Sequence, residues 1–202
     1  GPLGLKPQFD FEGSLNIREL NILWPSPNVF GLSGFETIGY ENEVIIPIAI
    51  EAEVGSDPVN LKIKGSLGIC YDVCIPVEFK TETGLKIMSK DINTDLLAAL
   101  ANLPLSPSDL GKKNASCSMI FGPTGFKIMA DIPYLEKADT YILFSIENYR
   151  NVLSIEQPKL IVPGKIVSAS GEWYGKSHPE ISSDLITITH LEKGQVIEQK
   201  GC

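Results

Sequence analysis

Hydrophobic residues along most of the chain alternate with polar residues, a pattern typical of strands that bury one side and expose the other. Val59, Leu61 and Ile63 alternate with polar residues, and the same alternation runs from residue 126 to residue 132. Short apolar runs bounded by Gly, Pro, Asn or Asp continue the pattern elsewhere. The chain is therefore predicted to be mainly β. The predicted strands are 17–24, 44–52, 59–64, 75–81, 115–120, 126–132, 141–147, 164–172, 185–191 and 195–200.

One segment departs from this pattern and predicts a short helix. Residues 95–103 are rich in Leu and Ala, Asn93 or Thr94 can cap the first turn, and Pro104 ends the segment. A polar stretch with the character of a linker follows at residues 105–114. Both halves contain several short strands separated by turns, so we predict two immunoglobulin-like β-sandwich domains. The expected divisions are a first domain at 1–92, the helix and linker at 93–113, and a second domain at 114–202.

Length and charge limit the classes of partner. The chain has 202 residues, which is enough for two small domains, and a formal net charge of −8. No basic stripe that could neutralise phosphates is present, so nucleic acid is not an expected partner. The longest apolar run, residues 44–50, is much shorter than the ~20 residues of a membrane-spanning helix. We expect no part of this chain to insert into a membrane.

Two of the four cysteines, Cys70 and Cys74, are separated by only three residues. A disulfide needs Cα atoms roughly 4.4–6.8 Å apart, whereas an extended strand would place these two about 13 Å apart. A bond between them requires a turn, and a hairpin of residues 67–70 and 74–79 would place the sulfurs opposite each other. The spacing leaves four interpretations open: unrelated core thiols, a structural disulfide, half of a metal site, or a redox pair. A bond that closes so short a loop adds little stability, which favours a chemical role.

Metal binding is the weaker interpretation of this pair. Zinc sites usually gather four ligands, and the two histidines of the chain, His178 and His190, both lie in the other half. Copper(I) accepts two thiolates, but no Met-rich tract is present beside the cysteines to supply further soft ligands. We therefore predict no metal site.

Several short segments of the first half carry a family resemblance. They are LKPQFDFEGS at residues 5–14, LWPSPNVF at 23–30, Gly39-Tyr40, VIIPI at 44–48 and CYDVCIP at 70–76. Their order and spacing resemble the periplasmic N-terminal region of ScsB and DsbD, bacterial transmembrane thiol-disulfide reductases, with ScsB the closer of the two. The resemblance also implies that part of the first domain lies upstream of Gly1.

This resemblance implies that Cys70 and Cys74 are the catalytic pair of a protein-disulfide reductase. A membrane-embedded domain of the same protein would supply electrons, and thioredoxin-like periplasmic proteins would accept them. The chain would then be periplasmic, as the soluble domain of an inner-membrane protein. Exchange needs an attacking thiolate and an accessible sulfur, so neither a metal nor an organic cofactor is expected. The resemblance to DsbD further implies that Cys74 forms the mixed disulfide and that Cys70 resolves it.

Six further residues are expected to shape or cover the site: Phe30, Phe35, Tyr40, Tyr71, Asp72 and Pro76. Asp72 would disfavour a nearby thiolate, although an aspartate also simply suits a turn. The resemblance places Phe30 and Phe35 beside the loop that caps the cysteines, and ordinary core packing is the alternative for both. Tyr40 and Tyr71 allow the same two interpretations.

The other two cysteines, Cys117 and Cys202, lie at the first strand of the second half and at the last residue of the chain. A sandwich whose first and last strands are neighbours could join them by a structural disulfide. The loop closed by such a bond is long, so the bond would constrain the unfolded chain strongly.

A rival interpretation from another class is a non-enzymatic β-sandwich module that binds copper or a protein partner. In that module Cys70 and Cys74 would form a static disulfide. A redox titration distinguishes the two interpretations, because a relay requires a bond that is reduced while the protein stays folded.

Overall fold

The structure is a computed structural model that describes most of the chain. The described residues are 7–30, 37–70, 74–86, 93–123, 125–134, 141–146, 152–155, 159–162, 166–173, 181–192 and 194–202. The chain divides into two compact units, Gly1–Leu103 and Pro104–Cys202. Strands dominate both units, so the prediction of a mainly β protein is confirmed. Among the described residues, no helix has the length and apolar character needed to cross a membrane.

The first unit contains three small antiparallel sheets. β6 lies between β1 and β7, while β2 pairs with β5 and β3 pairs with β4. The strands are β1 Gln8–Asp10, β2 Glu19–Ile22, β3 Asn28–Phe30, β4 Thr37–Gly39, β5 Ile48–Glu51, β6 Val59–Cys70 and β7 Cys74–Leu85. The two longest, β6 and β7, form one hairpin.

Among the described residues, one α-helix is present, α1 Thr94–Ala101, close to the end of the first unit. The backbone N–H of Leu96 donates a 2.9 Å hydrogen bond to the side chain of Asn93, which confirms Asn93 as the cap. The helix ends before residue 103, the predicted end, because the N–H of Asn102 closes the last turn. The carbonyl of Asn102 accepts a 2.7 Å hydrogen bond from the N–H of Ser26. This bond ties the segment before β3 to the end of the helix.

An aromatic cluster over Gly65 forms the core near the middle of the β6–β7 hairpin. Gly65 lies between Phe9 on β1 and Phe79 on β7 as their Cα partner in the sheet. The Phe9 ring meets Phe79 edge-on, with 6.2 Å between centroids, and lies 5.7 Å from Trp24. A Cβ atom at residue 65 would overlap the Phe79 ring, so any larger residue at this position would force the ring to move.

The second unit packs two sheets around an isoleucine-rich core. One sheet has the order β11-β13-β9-β8, with β12 also paired to β13, and the other has the order β10-β14-β15. Its strands are β8 Ser116–Phe121, β9 Gly125–Asp131, β10 Tyr141–Ile146, β11 Val152–Ile155, β12 Lys159–Val162, β13 Ile166–Trp173, β14 Ile186–Glu192 and β15 Gln195–Lys200. Ile128 from one sheet and Ile188 from the other are fully buried in the same core.

The polar stretch after α1 is part of the second unit and pairs with its last strand through the backbone. Leu105 forms a parallel bridge with Ile197, in which its N–H donates to Val196 and its carbonyl accepts from Glu198. A short 3-10 turn, Ser108–Leu110, follows this bridge, and a second one, Ser183–Leu185, precedes β14.

Besides the bridge at Leu105, a disulfide and a buried side chain also join the start and the end of the second unit. The disulfide predicted between Cys117 and Cys202 is present, with Cα atoms 5.1 Å apart. The side chain of Gln199 hydrogen-bonds both backbone groups of Ala115, accepting from its N–H at 2.7 Å and donating to its carbonyl at 2.9 Å. The buried side chain of Gln199 thus forms the hydrogen bonds that a neighbouring strand would otherwise form with Ala115.

We expect the double variant Cys117→Ala/Cys202→Ala to lower the free energy of unfolding of the second unit by up to about 4–5 kcal/mol. The bond spans 85 residues, so its loss gives the unfolded chain much more conformational freedom. Urea denaturation followed by circular dichroism measures the change. An unchanged midpoint would show that the bond does not stabilise the unit.

Two buried polar side chains in the second unit lack partners among the described residues. His190 is fully buried and neither ring nitrogen is hydrogen-bonded, and the hydroxyl of Tyr134 is also unpaired. Their ring centroids are 5.9 Å apart. Burial lowers the pKa of His190, while Glu192 acts in the opposite direction and Lys112 in the same direction. Burial alone raises the pKa of Tyr134 to about 12.

We expect the second unit to lose stability as the pH falls from about 6.5, the usual pKa of histidine, toward the lowered pKa of folded His190. In this range the unfolded chain binds a proton that the folded unit does not bind. Thermal unfolding across this range should show a smaller pH dependence for His190→Leu than for the unchanged protein. In a Trp24→Phe background, fluorescence reports only Trp173 of β13. Equal pH dependence of the unfolding temperature in both proteins would show that His190 does not cause the loss of stability.

Candidate functional site

The hairpin of β6 and β7 confirms the turn predicted between the two cysteines. The strands pair without a register shift from Val59 opposite Leu85 to Cys70 opposite Cys74. The cysteines therefore form the last residue pair before the connecting loop. Residues 71–73, which make that loop, lie outside the described residues.

The two sides of this hairpin differ in polarity. Odd-numbered residues of β6 face the core, and Val59 and Leu61 are buried there. Even-numbered residues face a polar surface, on which Lys62 and Glu82 form a 3.7 Å ion pair. Because side chains alternate strictly along a strand, Cys70 belongs to the polar side.

Hydrogen bonds along the edge of β6 that faces away from β7 show which type of residue pair the cysteine positions form. The backbone of Asn60 bonds to Leu15, with N···O distances of 2.9 and 3.2 Å, and the N–H of Lys62 donates to the Ser14 hydroxyl at 2.9 Å. These groups point away from β7, so the even-numbered positions form the non-hydrogen-bonded pairs of the hairpin.

The same alternation extends to Cys70 opposite Cys74, because the register has no irregularity. Non-hydrogen-bonded pairs bring Cα atoms to about 4.5 Å, within the range that a disulfide requires. The ladder thus presents the two cysteine positions at bonding distance.

Cys70 is exposed and disulfide-bonded. No cysteine among the described residues is free. The second disulfide differs in its surroundings, since Cys117 and Cys202 are partly buried against the core of the second unit. Of the cysteines whose exposure is described, Cys70 is therefore the one most open to a partner.

The residue pair next to the cysteines is Gly68 opposite Pro76. Both positions belong to the same non-hydrogen-bonded set, so Pro76 interrupts no bond to β6 despite lacking an N–H. Gly68 contributes no side chain on the side where Cys70 lies. The register thus places Pro76 next to the cysteine positions, and its role in shaping the site stays a prediction.

An exposed apolar pair lies on the opposite side of the hairpin end. Ile69 and Ile75 are cross-strand partners, and they are 58% and 59% exposed. We did not anticipate this pair from the sequence. Extending the alternation of β6 to the turn would have placed both residues on the core-facing side, but only the structure shows that they are uncovered.

The remaining predicted site residues are described only in part. Tyr40 donates a 2.6 Å hydrogen bond to the carbonyl of Pro25, and the half-buried Phe30 packs its ring near Gly39. These contacts join Tyr40 to the segment before β3, and Phe30 of β3 to Gly39 of β4. The other predicted site residues, Phe35, Tyr71 and Asp72, lie outside the described residues.

Comparisons with known proteins agree with this geometry. The family model described as "Thiol:disulfide interchange protein DsbD, N-terminal" matches residues 5–86, which include the whole β6–β7 hairpin. No curated protein sequence matches the chain.

Among solved structures, the N-terminal periplasmic domain of ScsB from Proteus mirabilis is similar to this chain. The two share 17% sequence identity with a TM-score of 0.54, and the match covers 98% of this chain and 78% of that one. This likeness confirms the mainly β, immunoglobulin-like fold predicted for the two halves. Residues 5–86, with the cysteine hairpin at their end, belong to the N-terminal domain family of the DsbD thiol:disulfide interchange proteins.

Proposed function

We propose that this chain is a periplasmic thiol–disulfide exchange domain that acts through Cys70 and Cys74. The single observation that carries the proposal is the exposed, disulfide-bonded Cys70 opposite Cys74 at the end of a regular hairpin. The family match over residues 5–86 supports the same chemistry.

Cys74 is the proposed partner of Cys70. The chain has four cysteines, and Cys117 and Cys202 are bonded to each other, so the bond of Cys70 leaves one partner within the chain. The register supports the same pairing, because it sets Cys70 directly opposite Cys74.

The two disulfides differ in what they contribute to stability. By the loop-entropy relation, a bond between Cys70 and Cys74 would stabilise the fold by about 2 kcal/mol, whereas a loop of 85 residues corresponds to about 4.6 kcal/mol. Breaking the short bond therefore costs the fold little. That small cost suits a bond that is broken and formed again in each catalytic cycle.

Exchange with an oxidised partner proceeds in two steps that balance without a metal or an organic cofactor. The thiolate of Cys74 attacks one sulfur of the partner disulfide, and the other partner sulfur leaves as a thiolate. The thiolate of Cys70 then attacks Sγ of Cys74 in the mixed disulfide. This second step restores the bond between Cys70 and Cys74 and releases the partner with both sulfurs reduced.

The strand order supports Cys74 as the cysteine that forms the mixed disulfide. The three sulfurs of an exchange reaction lie in line, and a bond between Cys70 and Cys74 runs across the strands. The line extended beyond Cys74 passes over the outer edge of β7, which is the terminal strand of the sheet. The line extended beyond Cys70 passes over the β1 side, because β6 is the inner strand.

The proposed source of electrons is a membrane-embedded domain of the same protein, and the proposed acceptors are thioredoxin-like periplasmic proteins. Family membership and the likeness to a periplasmic ScsB domain support these partners. In this scheme the domain belongs to an inner-membrane protein and acts as a protein-disulfide reductase.

We expect the disulfide of Cys70 to be reduced while the protein stays folded. Differential alkylation and mass spectrometry across a dithiothreitol series should label Cys70 and Cys74 at concentrations that leave Cys117 and Cys202 unlabelled. The second disulfide is the internal control, because its cysteines are partly buried. If all four cysteines become labelled only when circular dichroism shows unfolding, the short bond is static and the rival binding-module interpretation holds.

A trapping experiment tests the roles of the two cysteines. The probe is a single-cysteine thioredoxin activated as its mixed disulfide with 5-thio-2-nitrobenzoate. Reduced Cys70→Ser should displace the nitrobenzoate and accumulate a covalent complex, because the resolving thiol is absent. Reduced wild-type protein should form this complex and then release reduced thioredoxin, and Cys74→Ser should accumulate little. Faster trapping by Cys74→Ser would reverse the roles.

A further inference from the structure

The outer edge of β7 is the unpaired side of the sheet that carries the cysteines. Within the described residues, β7 pairs with β6 alone, so the backbone groups that turn away from β6 face outward. These groups belong to the residues of the non-hydrogen-bonded pairs. The outward-facing residues are Cys74, Pro76, Glu78, Lys80, Glu82 and Gly84. A long free edge of this kind is a template for pairing with another strand.

On the part of this edge that lies far from the cysteines, charged residues discourage the addition of a strand that carries no matching charges. Glu78, Lys80 and Glu82 occupy three successive outward-facing positions. Charged side chains are a common means by which proteins discourage strand addition at an exposed edge. The outward-facing position nearest to Cys74 carries no charge, because it is Pro76.

Proline closes an edge by a different means. Pro76 has no N–H, so a strand added here would leave one carbonyl without a donor. A lysine at this position would favour the neighbouring thiolate and its stray oxidation, and a glutamate would disfavour the thiolate. Proline is therefore the edge-protecting residue that leaves the thiol chemistry of Cys74 unchanged.

A second copy of this chain offers the best-matched strand for this edge. When two β7 edges pair antiparallel, one register sets Glu78 of each copy against Lys80 of the other, so two opposite-charge contacts form. The same register sets Pro76 against Glu82 of the other copy, and there the missing N–H costs one hydrogen bond per copy. Pro76 thus disfavours the register that the charges favour.

We propose that Pro76 closes the cysteine end of the β7 edge to strand addition by a second copy of this chain and so keeps the in-line path to Sγ of Cys74 open. This inference rests on the proposed exchange at Cys74. It makes Pro76 a positioning residue, which acts by excluding a competing strand.

The test compares wild type, Pro76→Ala and Pro76→Ala/Glu78→Pro. Two regained hydrogen bonds should strengthen self-association of Pro76→Ala by roughly 30-fold in sedimentation equilibrium. Reduction of its Cys70 disulfide by dithiothreitol should slow as protein concentration rises, and the amides of Glu78 and Lys80 should gain protection from hydrogen exchange. The double variant moves the missing donor along the edge without touching the β6 ladder, so it should restore the monomer and the wild-type reduction rate.

Three outcomes overturn the proposal. The first is a Pro76→Ala protein that associates no more than wild type. The second is an altered reduction rate that does not depend on protein concentration, which indicates a local effect at the cysteines. The third is wild-type protein that already protects its Glu78 and Lys80 amides by self-association. A wild-type disulfide that resists reduction would refute the proposed function. The sedimentation experiment would still test the role of Pro76, because it does not depend on reduction of the disulfide.

Discussion

The alternation of hydrogen-bonded and non-hydrogen-bonded pairs along β6 and β7 determines the geometry of the cysteine site. Backbone bonds at Asn60 and Lys62 point away from β7 and set this alternation ten and eight residues before Cys70. From there the regular register assigns the cysteines to a close pair and Pro76 to a position where no bond to β6 is lost. A slip of β7 by one residue would move Cys74 to the core-facing side of the sheet, away from Cys70.

The cluster at Gly65 fixes this register by packing. The Phe79 ring lies across Gly65, and a side chain at that position would overlap it. A shift of β7 by one residue would bring Glu78 or Lys80 to the core side in place of Phe79. Burial of charge without a partner is costly, so the aromatic contact opposes a slip more strongly than the twelve ladder pairs would alone. The core of the first unit and the position of its cysteines are thereby linked.

The sequence predicts the long strands and the helix because each spans enough residues to show a period or a cap. It does not predict β1, β3, β4, β11 and β12, which have only three or four residues each and are too short to show a period. At the site, the spacing of Cys70 and Cys74 predicts the hairpin, since only a turn brings the two together. The exposure of Ile69 and the contact of Phe79 with Gly65 depend on neighbours that are distant in the chain, and local patterns carry no information about them.

The ladder also explains how one hairpin can serve both redox states. Eleven residue pairs besides Cys70 opposite Cys74 hold the strands in register, so the cysteine Cα atoms stay close when the sulfur bond is absent. When one cysteine of the pair is held in a mixed disulfide with a partner, the other thiol attacks that bond far faster than a free thiol would, because its orientation is already fixed. In the proposed exchange, re-formation of the bond is therefore favoured, and this would make the reduced pair a good electron donor. The disulfide of the second unit differs, because its role is to stabilise the fold. It joins the two ends of a long loop, and its partly buried cysteines pack against the core.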